Sequence, residues 1–328
     1  MSTVVSEVTK RRSNLLKVFG GSPILGPLAA LVLAIIFFAT QSDRFLRGDN
    51  FSLIIQQVMV VGTLAIGQTL VILTGGIDLS NGMIMAFSSV LMAGLAAVSG
   101  LDPILALLLG FVVCIIFGLA NGGLVTLIGL PAFIVTLGTF NIAYALVRIY
   151  TTSTITQLPD VLLFFGNTFN VGNTAVTFGS VLMVILYVLF WYVLRSTPWG
   201  RSVYAVGDNP EAARLAGINT RRVLTTVYVV AAITYAIAGL LLVSRTGVGD
   251  PQAGQTGNLD SITAVVLGGT SLLGGRGHIM GTLIGALIVG VFRNGLQLMG
   301  VESTYQVLVT GVLVIVAVSI DYLSHRGK

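Results

Sequence analysis

A near-unbroken series of apolar runs, each about as long as a bilayer is thick, constrains this chain more than any other feature. Crossing a hydrocarbon core of ~30 Å takes about 20 predominantly apolar residues in a helix. Such runs lie at 24–41, 52–74, 81–100, 103–128, 131–150, 175–195, 222–245, 259–273, 278–298 and 303–322, the eighth being short. Where no water is present to satisfy backbone N–H and C=O groups, segments of this length cross as helices. Asp, Glu, Lys and Arg make up only 9% of the 328 residues, against about 25% in a soluble domain. A surface so poor in charge is compatible with lipid as its solvent and not with water. The expected fold is therefore an all-α polytopic membrane protein with about ten transmembrane helices. Eight or nine are the alternatives, because the breaks at Gly75-Gly76 and Gly129-Leu130-Pro131 contain almost no polar residues.

Charge orients the spans. Lys and Arg concentrate in cytoplasmic loops. With ten spans and the N-terminus inside, one face collects Lys10, Arg11, Arg12, Lys17, Arg195, Arg201, Arg214, Arg221, Arg222, Arg276, Arg326 and Lys328, which is 12 of the 17 basic residues. The segment 151–174 falls on the other face and holds Asp160 but no Lys or Arg. The expected organisation is a cytoplasmic N-terminal segment 1–23, one transmembrane domain 24–322 with a cytoplasmic loop at 196–221, and a cytoplasmic tail 323–328. The first run follows basic residues as a signal peptide does. It approaches the length of a full span and many spans follow it, so an uncleaved first helix is expected. The net charge of +5 is dispersed over short connections, which makes the basic residues topology markers and argues against nucleic acid as a partner.

Several chemistries are excluded. The only Gly-Lys pair is Gly327-Lys328, so no phosphate-binding loop of the Gly-x-x-x-x-Gly-Lys type is present. His278 and His325 are far apart in sequence, and Cys114 stands alone in an apolar run. No catalytic residue, metal ligand or resident cofactor is expected. The 40 glycines sit largely inside apolar runs. Pairs four residues apart, such as Gly118/Gly122 and Gly281/Gly285, are expected to mark close helix–helix contacts.

Polar segments interrupt this pattern informatively. In the loop 196–221, Asn209 suits a helix N-cap, Pro210 the first helical position and Glu211 the positive end of the helix. Gly217 suits the left-handed residue that ends a helix. The spacing predicts a two-turn cytoplasmic helix from Pro210 to Ala216, with small residues at 212, 213 and 216 open to a partner and Glu211 and Arg214 orienting it. Earlier in the chain, Thr74-Gly75-Gly76-Ile-Asp78-Leu-Ser80-Asn81 places paired glycines and an acid between two apolar runs. An acid at the centre of a span costs about 2.5–3.5 kcal/mol. Asp78 is the one strong mid-span acid in this reading, and it either caps the next helix, with Ser80 as the other candidate cap, or lines a pathway; helix ends in transporters do both.

Here the residues resemble a known family. Glu211-Ala212-Ala213 followed by Gly217 is similar to the loop by which permeases of ATP-binding-cassette importers engage their ATPases, and the wider run Gly200-Arg-x-x-Tyr-Ala-Val-Gly207 resembles its simple-sugar (ribose/xylose/arabinose/galactoside) branch. Gly75-Gly76-Ile-Asp78-Leu-Ser80 and Leu259-Asp260-Ser-Ile-Thr-Ala-Val-Val-Leu-Gly268-Gly269-Thr-Ser-Leu-Leu-Gly274-Gly275 match two further motifs of that branch. Asn258 stands where the family commonly has Glu, and Asp208 where a second glycine is usual. The resemblance covers roughly residues 50–322. It implies an importer permease in the bacterial inner membrane with two permease copies, identical or paired homologues. A separate cytoplasmic ATPase would bind ATP and Mg, and an extracytoplasmic binding protein would deliver a monosaccharide.

On this reading Gly207, Asn209, Glu211, Ala212, Ala213, Arg214 and Gly217 form the ATPase-coupling site. Gln68, Asp78, Ser80, Asn81, Thr136, Thr139, Asn141 and Asn294 are candidates for the translocation pathway, with hydrogen bonding between helices as the alternative role. Gly75, Gly76, Gly268, Gly269, Gly274 and Gly275 are expected to break helices. Arg148, Arg245 and Arg293 are expected towards the outer end, facing a binding protein or headgroups. Val71–Gly76 and Val265–Gly269 resemble each other and hint at a parallel internal repeat. Related permeases for nucleosides, branched-chain amino acids or a signalling furanone share the architecture, and an ion-coupled secondary transporter is a further alternative.

Overall fold

The computed structural model describes residues 24–326, and the side chains among them save those at 316, 317 and 320–326. The predicted segment 1–23, with Lys10 to Lys17, and the last two residues of the predicted tail lie outside the described residues.

Every predicted apolar run contains a helix: α1 (Leu25–Gln41), α2 (Gly48–Leu73), α3 (Asn81–Ala97), α4 (Pro103–Gly123), α5 (Ala132–Tyr150), α7 (Phe178–Ser196), α10 (Thr220–Thr246), α11 (Gly257–Leu267), α12 (Ile279–Leu298) and α13 (Ser303–Arg326). Between α5 and α7 lie a one-turn helix α6 (Asp160–Leu163) and a hairpin, β1 (Thr168–Val171) and β2 (Thr174–Thr177). Among the described residues six helices, α2, α4 (extended by the π turn Leu124–Ile128), α5, α7, α10 and α12, are long and apolar enough to cross a membrane, and α1, α3, α11 and the part Ser303–Ile315 of α13 are shorter apolar helices. The chain is thus a mostly helical polytopic membrane protein.

Three expectations need correction. The predicted run 175–195 begins inside β2, and its helix starts only at Phe178, where the Thr177 hydroxyl accepts the Ser180 N–H. The predicted run 259–273 ends as a helix at Leu267, because Gly269 turns to a positive φ of 82°. The loop 196–221 holds two helices, not one. Before the expected short helix, α9 (Pro210–Leu215), comes α8 (Pro198–Asp208), capped by Thr197 with Pro198 at its first position.

The helices form an inner and an outer layer. The apolar windows of α2 and α10 are 78% and 72% buried, while those of α4 and α5 are each 28% buried. α10 packs against α2, α3 and α4, and α2 also meets α11 and α12. The glycine pairs make these approaches possible. A Cβ on Gly118 would stand 2.8 Å from the Tyr228 carbonyl oxygen, and one on Gly122 would stand 3.0 Å from Thr225 Cα, both on α10. Gly281 and Gly285 likewise lie against the backbone of Gly268 and Ala264 at the end of α11. Faces of large apolar side chains on α1, α4, α5 and α7 point outward, with Leu33 66% and Ile149 80% exposed, as lipid-facing surface should be.

α2 and α11 both stop inside the protein, and they stop alike. After α2, Gly75 N–H donates to Ile72 O and Gly76 N–H to Val71 O; after α11, Gly269 N–H donates to Val266 O and Thr270 N–H to Val265 O. Each end therefore has the paired hydrogen bonds of a Schellman cap around a left-handed glycine, with φ of 78° at Gly75 and 82° at Gly269. The resemblance between Val71–Gly76 and Val265–Gly269 thus extends from sequence to backbone geometry.

Candidate functional site

The segment between α2 and α3 is held by side chains from four other helices. Asp78 Oδ1 accepts from the Ser80 N–H at 2.8 Å and the Ser80 hydroxyl at 2.6 Å, and Oδ2 accepts from Tyr235 Oη of α10 at 3.1 Å. Asn121 of α4 donates to Ser80 Oγ at 3.1 Å. Asn81 Nδ2 is shared between Gln68 Oε1 and Ser261 Oγ of α11, each at 2.8 Å. Thr136 of α5 donates to the Ile77 carbonyl at 3.0 Å, and Asn258 to the Leu79 carbonyl at 3.1 Å. The irregular backbone from Thr74 to Ser80 is thereby supplied with partners that a membrane interior otherwise lacks. Asp78, Ser80, Asn81, Gln68 and Asn121 are all at most 1% exposed.

Of the pathway candidates, Gln68, Asp78, Ser80 and Asn81 therefore come together, Thr136 joins them through a backbone carbonyl, and Thr139 lies buried one turn away, donating to the Thr136 carbonyl. Two do not join. Asn141 is exposed on α5 and donates to its own helix at Leu137 O. Asn294 is buried elsewhere, donating to Asn50 Oδ1 at 2.8 Å and so tying α12 to the start of α2. Asn258, the departure from the family pattern, ties the start of α11 to the break after α2.

The loop 196–221 is built as its caps predicted. Asn209 Oδ1 accepts the N–H groups of Glu211 and Ala212 at 3.1 and 3.0 Å, and Gly217 ends α9 with φ of 85°. Glu211 and Arg214 form a 2.6 Å ion pair with side chains 68% and 62% exposed. This pair holds the Glu211 carboxyl below its usual pKa range and raises that of Arg214. An ion pair so exposed adds little stability. The expected face is corrected in two respects. Ala213 is 6% exposed and faces the protein's own interior, while Leu215, which sequence reasoning passed over, is 77% exposed. Its signal was the one large apolar residue in the run Pro210–Leu215.

Gly207, expected in the coupling site, is packed against the ends of the two broken helices. A Cβ there would stand 2.6 Å from Gly275 N and would collide with the Leu73 carbonyl. Gly275 N–H donates to Leu73 O at 2.9 Å, and a Cβ on Gly274 would stand 2.8 Å from both Gly207 O and Gly75 N. Tyr204 of α8 donates to Gly277 O at 3.0 Å. The glycine-rich breaks after α2 and α11 thus meet each other and the end of α8, one residue before the cap of α9. Asp208, the second departure from the family pattern, lies against Gly275, whose φ is 69°. The end of α8 is thereby in close backbone contact with the ends of both broken helices.

A second acid was missed as a buried group. Asp260 of α11 is 4% exposed, and its Oδ2 accepts from Arg293 Nη1 of α12 at 3.3 Å. Arg293 thus turns inward to an acid, contrary to the expectation of a free outer arginine. Arg148 is also engaged, donating to Gln252 Oε1 at 2.8 Å with its guanidinium over the Tyr144 ring. The available signal for Asp260 was an acid within the apolar run Leu259–Leu267.

Comparison with known proteins follows this geometry. Residues 50–318 match the family model described as "Branched-chain amino acid transport system / permease component". The chain is 48% identical to the fructose import permease protein FrcC of Rhizobium meliloti over 92% of this chain and 85% of that protein. It is 43% identical to the ribose import permease protein RbsC of Bacillus subtilis over 90% of this chain and 92% of that protein. It is 37% identical to RbsC of Escherichia coli K12 over the same shares. No solved structure matches the chain.

Proposed function

The chain belongs to the branched-chain amino acid transport system permease component family, and on that premise we propose that it carries a monosaccharide, a pentose or hexose, into the cytoplasm. It is a permease subunit of an ATP-binding-cassette importer, and ATP hydrolysis is the work of a separate ATPase subunit. The sugar reading rests on end-to-end similarity to fructose and ribose import permeases. In keeping with a neutral cargo, polar side chains within the helices are mainly amides and hydroxyls.

The geometry that carries the mechanism is the junction of α8 and α9 with the two glycine breaks. α9 presents Glu211, Ala212 and Leu215 to a cytoplasmic ATPase. ATPase closure displaces α9, and α8 passes the displacement through Gly207 to the segments 73–76 and 274–275, where α2 and α11 end. Those helix ends are the elements whose movement opens the pathway to one side or the other. In this reading the permease works as a pair of copies in the bacterial inner membrane. Ten helices cross, the termini and the loop 196–221 are cytoplasmic, and the hairpin side receives the binding protein.

Uptake of radiolabelled D-ribose and D-fructose in cells co-expressing the chain with its ATPase and binding protein tests this. Deleting the ATPase is expected to abolish uptake, and uptake that persists would point to ion coupling. Glu211→Lys reverses the charge beside Arg214 and is expected to reduce uptake to background at unchanged membrane level. Normal uptake by the variant would remove α9 from the coupling surface.

A further inference from the structure

A chamber of about 430 Å³ lies between α2, the end of α10, α11, α12 and the start of α13, within the ~300–1,000 Å³ usual for small-molecule sites. It has no part in the lattice around Asp78. Its wall is chemically mixed: one carboxylate, Asp260; two guanidiniums, Arg245 and Arg293; and three amides, Gln57, Gln297 and Gln306.

These groups are unevenly satisfied. Asp260 is held by one contact of 3.3 Å to Arg293, whose side chain is 41% exposed. That is long for a charge-assisted hydrogen bond, which usually measures about 2.7–2.9 Å. Among the described residues no carboxylate pairs with Arg245. Gln57 Oε1 is buried on the wall without a hydrogen-bond partner among them. Gln306 spends its Nε2 on Val301 O at 2.8 Å, which leaves its carbonyl oxygen free. A second, narrower cavity of about 170 Å³ shares Asp260, Arg293, Ser303 and Gln306 and continues between Phe292, Leu296 and Leu313. The ion pair thus stands at the boundary between a polar chamber and an apolar crevice.

Buried polar groups without partners cost free energy unless a ligand or water supplies the missing bonds. Acceptors at Asp260 and Gln57 and donors at Arg245 and Arg293 line one half-open space. A hydroxyl both donates and accepts, so a ligand with several hydroxyls satisfies both sets together. An anion would be drawn to the guanidiniums but repelled by Asp260. We propose that this chamber is a staging site for a neutral polyhydroxylated ligand, with Asp260 and Gln57 accepting from its hydroxyls and Arg245 and Arg293 donating to them. The assignment rests on the sugar-importer reading above. On the topology given there the chamber opens outward, so it receives the sugar before the breaks after α2 and α11 pass it on.

The test uses the assembled importer, permease with ATPase in nanodiscs or proteoliposomes, plus binding protein loaded with D-ribose or D-fructose. Asp260→Asn, Arg293→Gln and Gln57→Leu are each expected to lower sugar transported per ATP hydrolysed about tenfold. Docking of the binding protein should change less than about twofold. Ribose 5-phosphate should not compete, and competition by it would overturn the neutral ligand. The charge-swapped variant Asp260→Arg/Arg293→Asp separates a ligand site from a structural ion pair. It is expected to stay as poor as the single variants, and restored transport would overturn the proposal. Gln57→Leu lies outside the ion pair and decides the matter alone if the pair variants do not assemble. Variants that transport normally beside an active wild type overturn only the staging site. A wild type that moves neither sugar overturns the sugar reading and this site with it.

Discussion

Asp78 and Asp260 are both buried acids at the edges of apolar runs, yet they are satisfied to very different degrees. Asp78 receives three hydrogen bonds from Ser80 and Tyr235, the shortest at 2.6 Å. It sits inside a lattice that supplies partners to a length of non-helical backbone. Asp260 makes one contact of 3.3 Å to a partly exposed arginine and borders a cavity. A saturated carboxylate has little capacity left for a ligand; an under-satisfied one at a cavity wall has some to offer. Buried charge alone marks neither role. The partners decide it.

That contrast can be broken by experiment. The largest effect is expected for Asp78→Ala, which strips the acceptor from the Ser80 N–H, the Ser80 hydroxyl and Tyr235. Each buried donor left unpaired costs about 1–3 kcal/mol, so the variant should lose several kcal/mol and much of its assembled yield, read by fluorescence size-exclusion chromatography. Near-normal yield would mean the lattice does not hold the break. Tyr235→Phe removes one of the three donors and should cost about 1–3 kcal/mol, seen as a lowered Tm of the detergent-solubilised protein with the fold intact. The smallest effect on stability is expected for Asp260→Asn. It keeps the side chain's shape and disturbs a single long contact, so Tm should shift less than in Tyr235→Phe, by an amount corresponding to under about 1 kcal/mol. A larger loss than for Tyr235→Phe would reverse the assignment of structural and ligand-facing acids.

The short helix α9 was readable to the residue at its caps. Asn209, Pro210 and Gly217 act on neighbours within a few positions, so their meaning is local. Which side of that helix faces outward was not. Ala213 and Leu215 are two residues apart and point to opposite environments, a matter of how α9 rests on α8 and α10. Gly207 reads in sequence as part of the proposed coupling site, and only its approach to Leu73 and Gly275 shows it packed between the two helix breaks. The pathway candidates divided for the same reason. A polar residue in an apolar run signals that a partner exists without naming it, and Asn141 and Asn294 found theirs away from Asp78.

The sequence by itself determined that the chain folds as membrane helices, where those helices lie to within a few residues, and where glycines interrupt them. Hydrophobic length, capping and left-handed turns act over one or two helical turns, and the solvent enforces them. Tertiary structure decided which interruptions meet and which acid is saturated. It joined Asp78 to Tyr235 across 157 positions and Asn81 to Ser261 across 180. It also brought Arg293 back to Asp260 across 33. Pairings at such separations depend on how α2, α10, α11 and α12 pack, and no local preference encodes that packing.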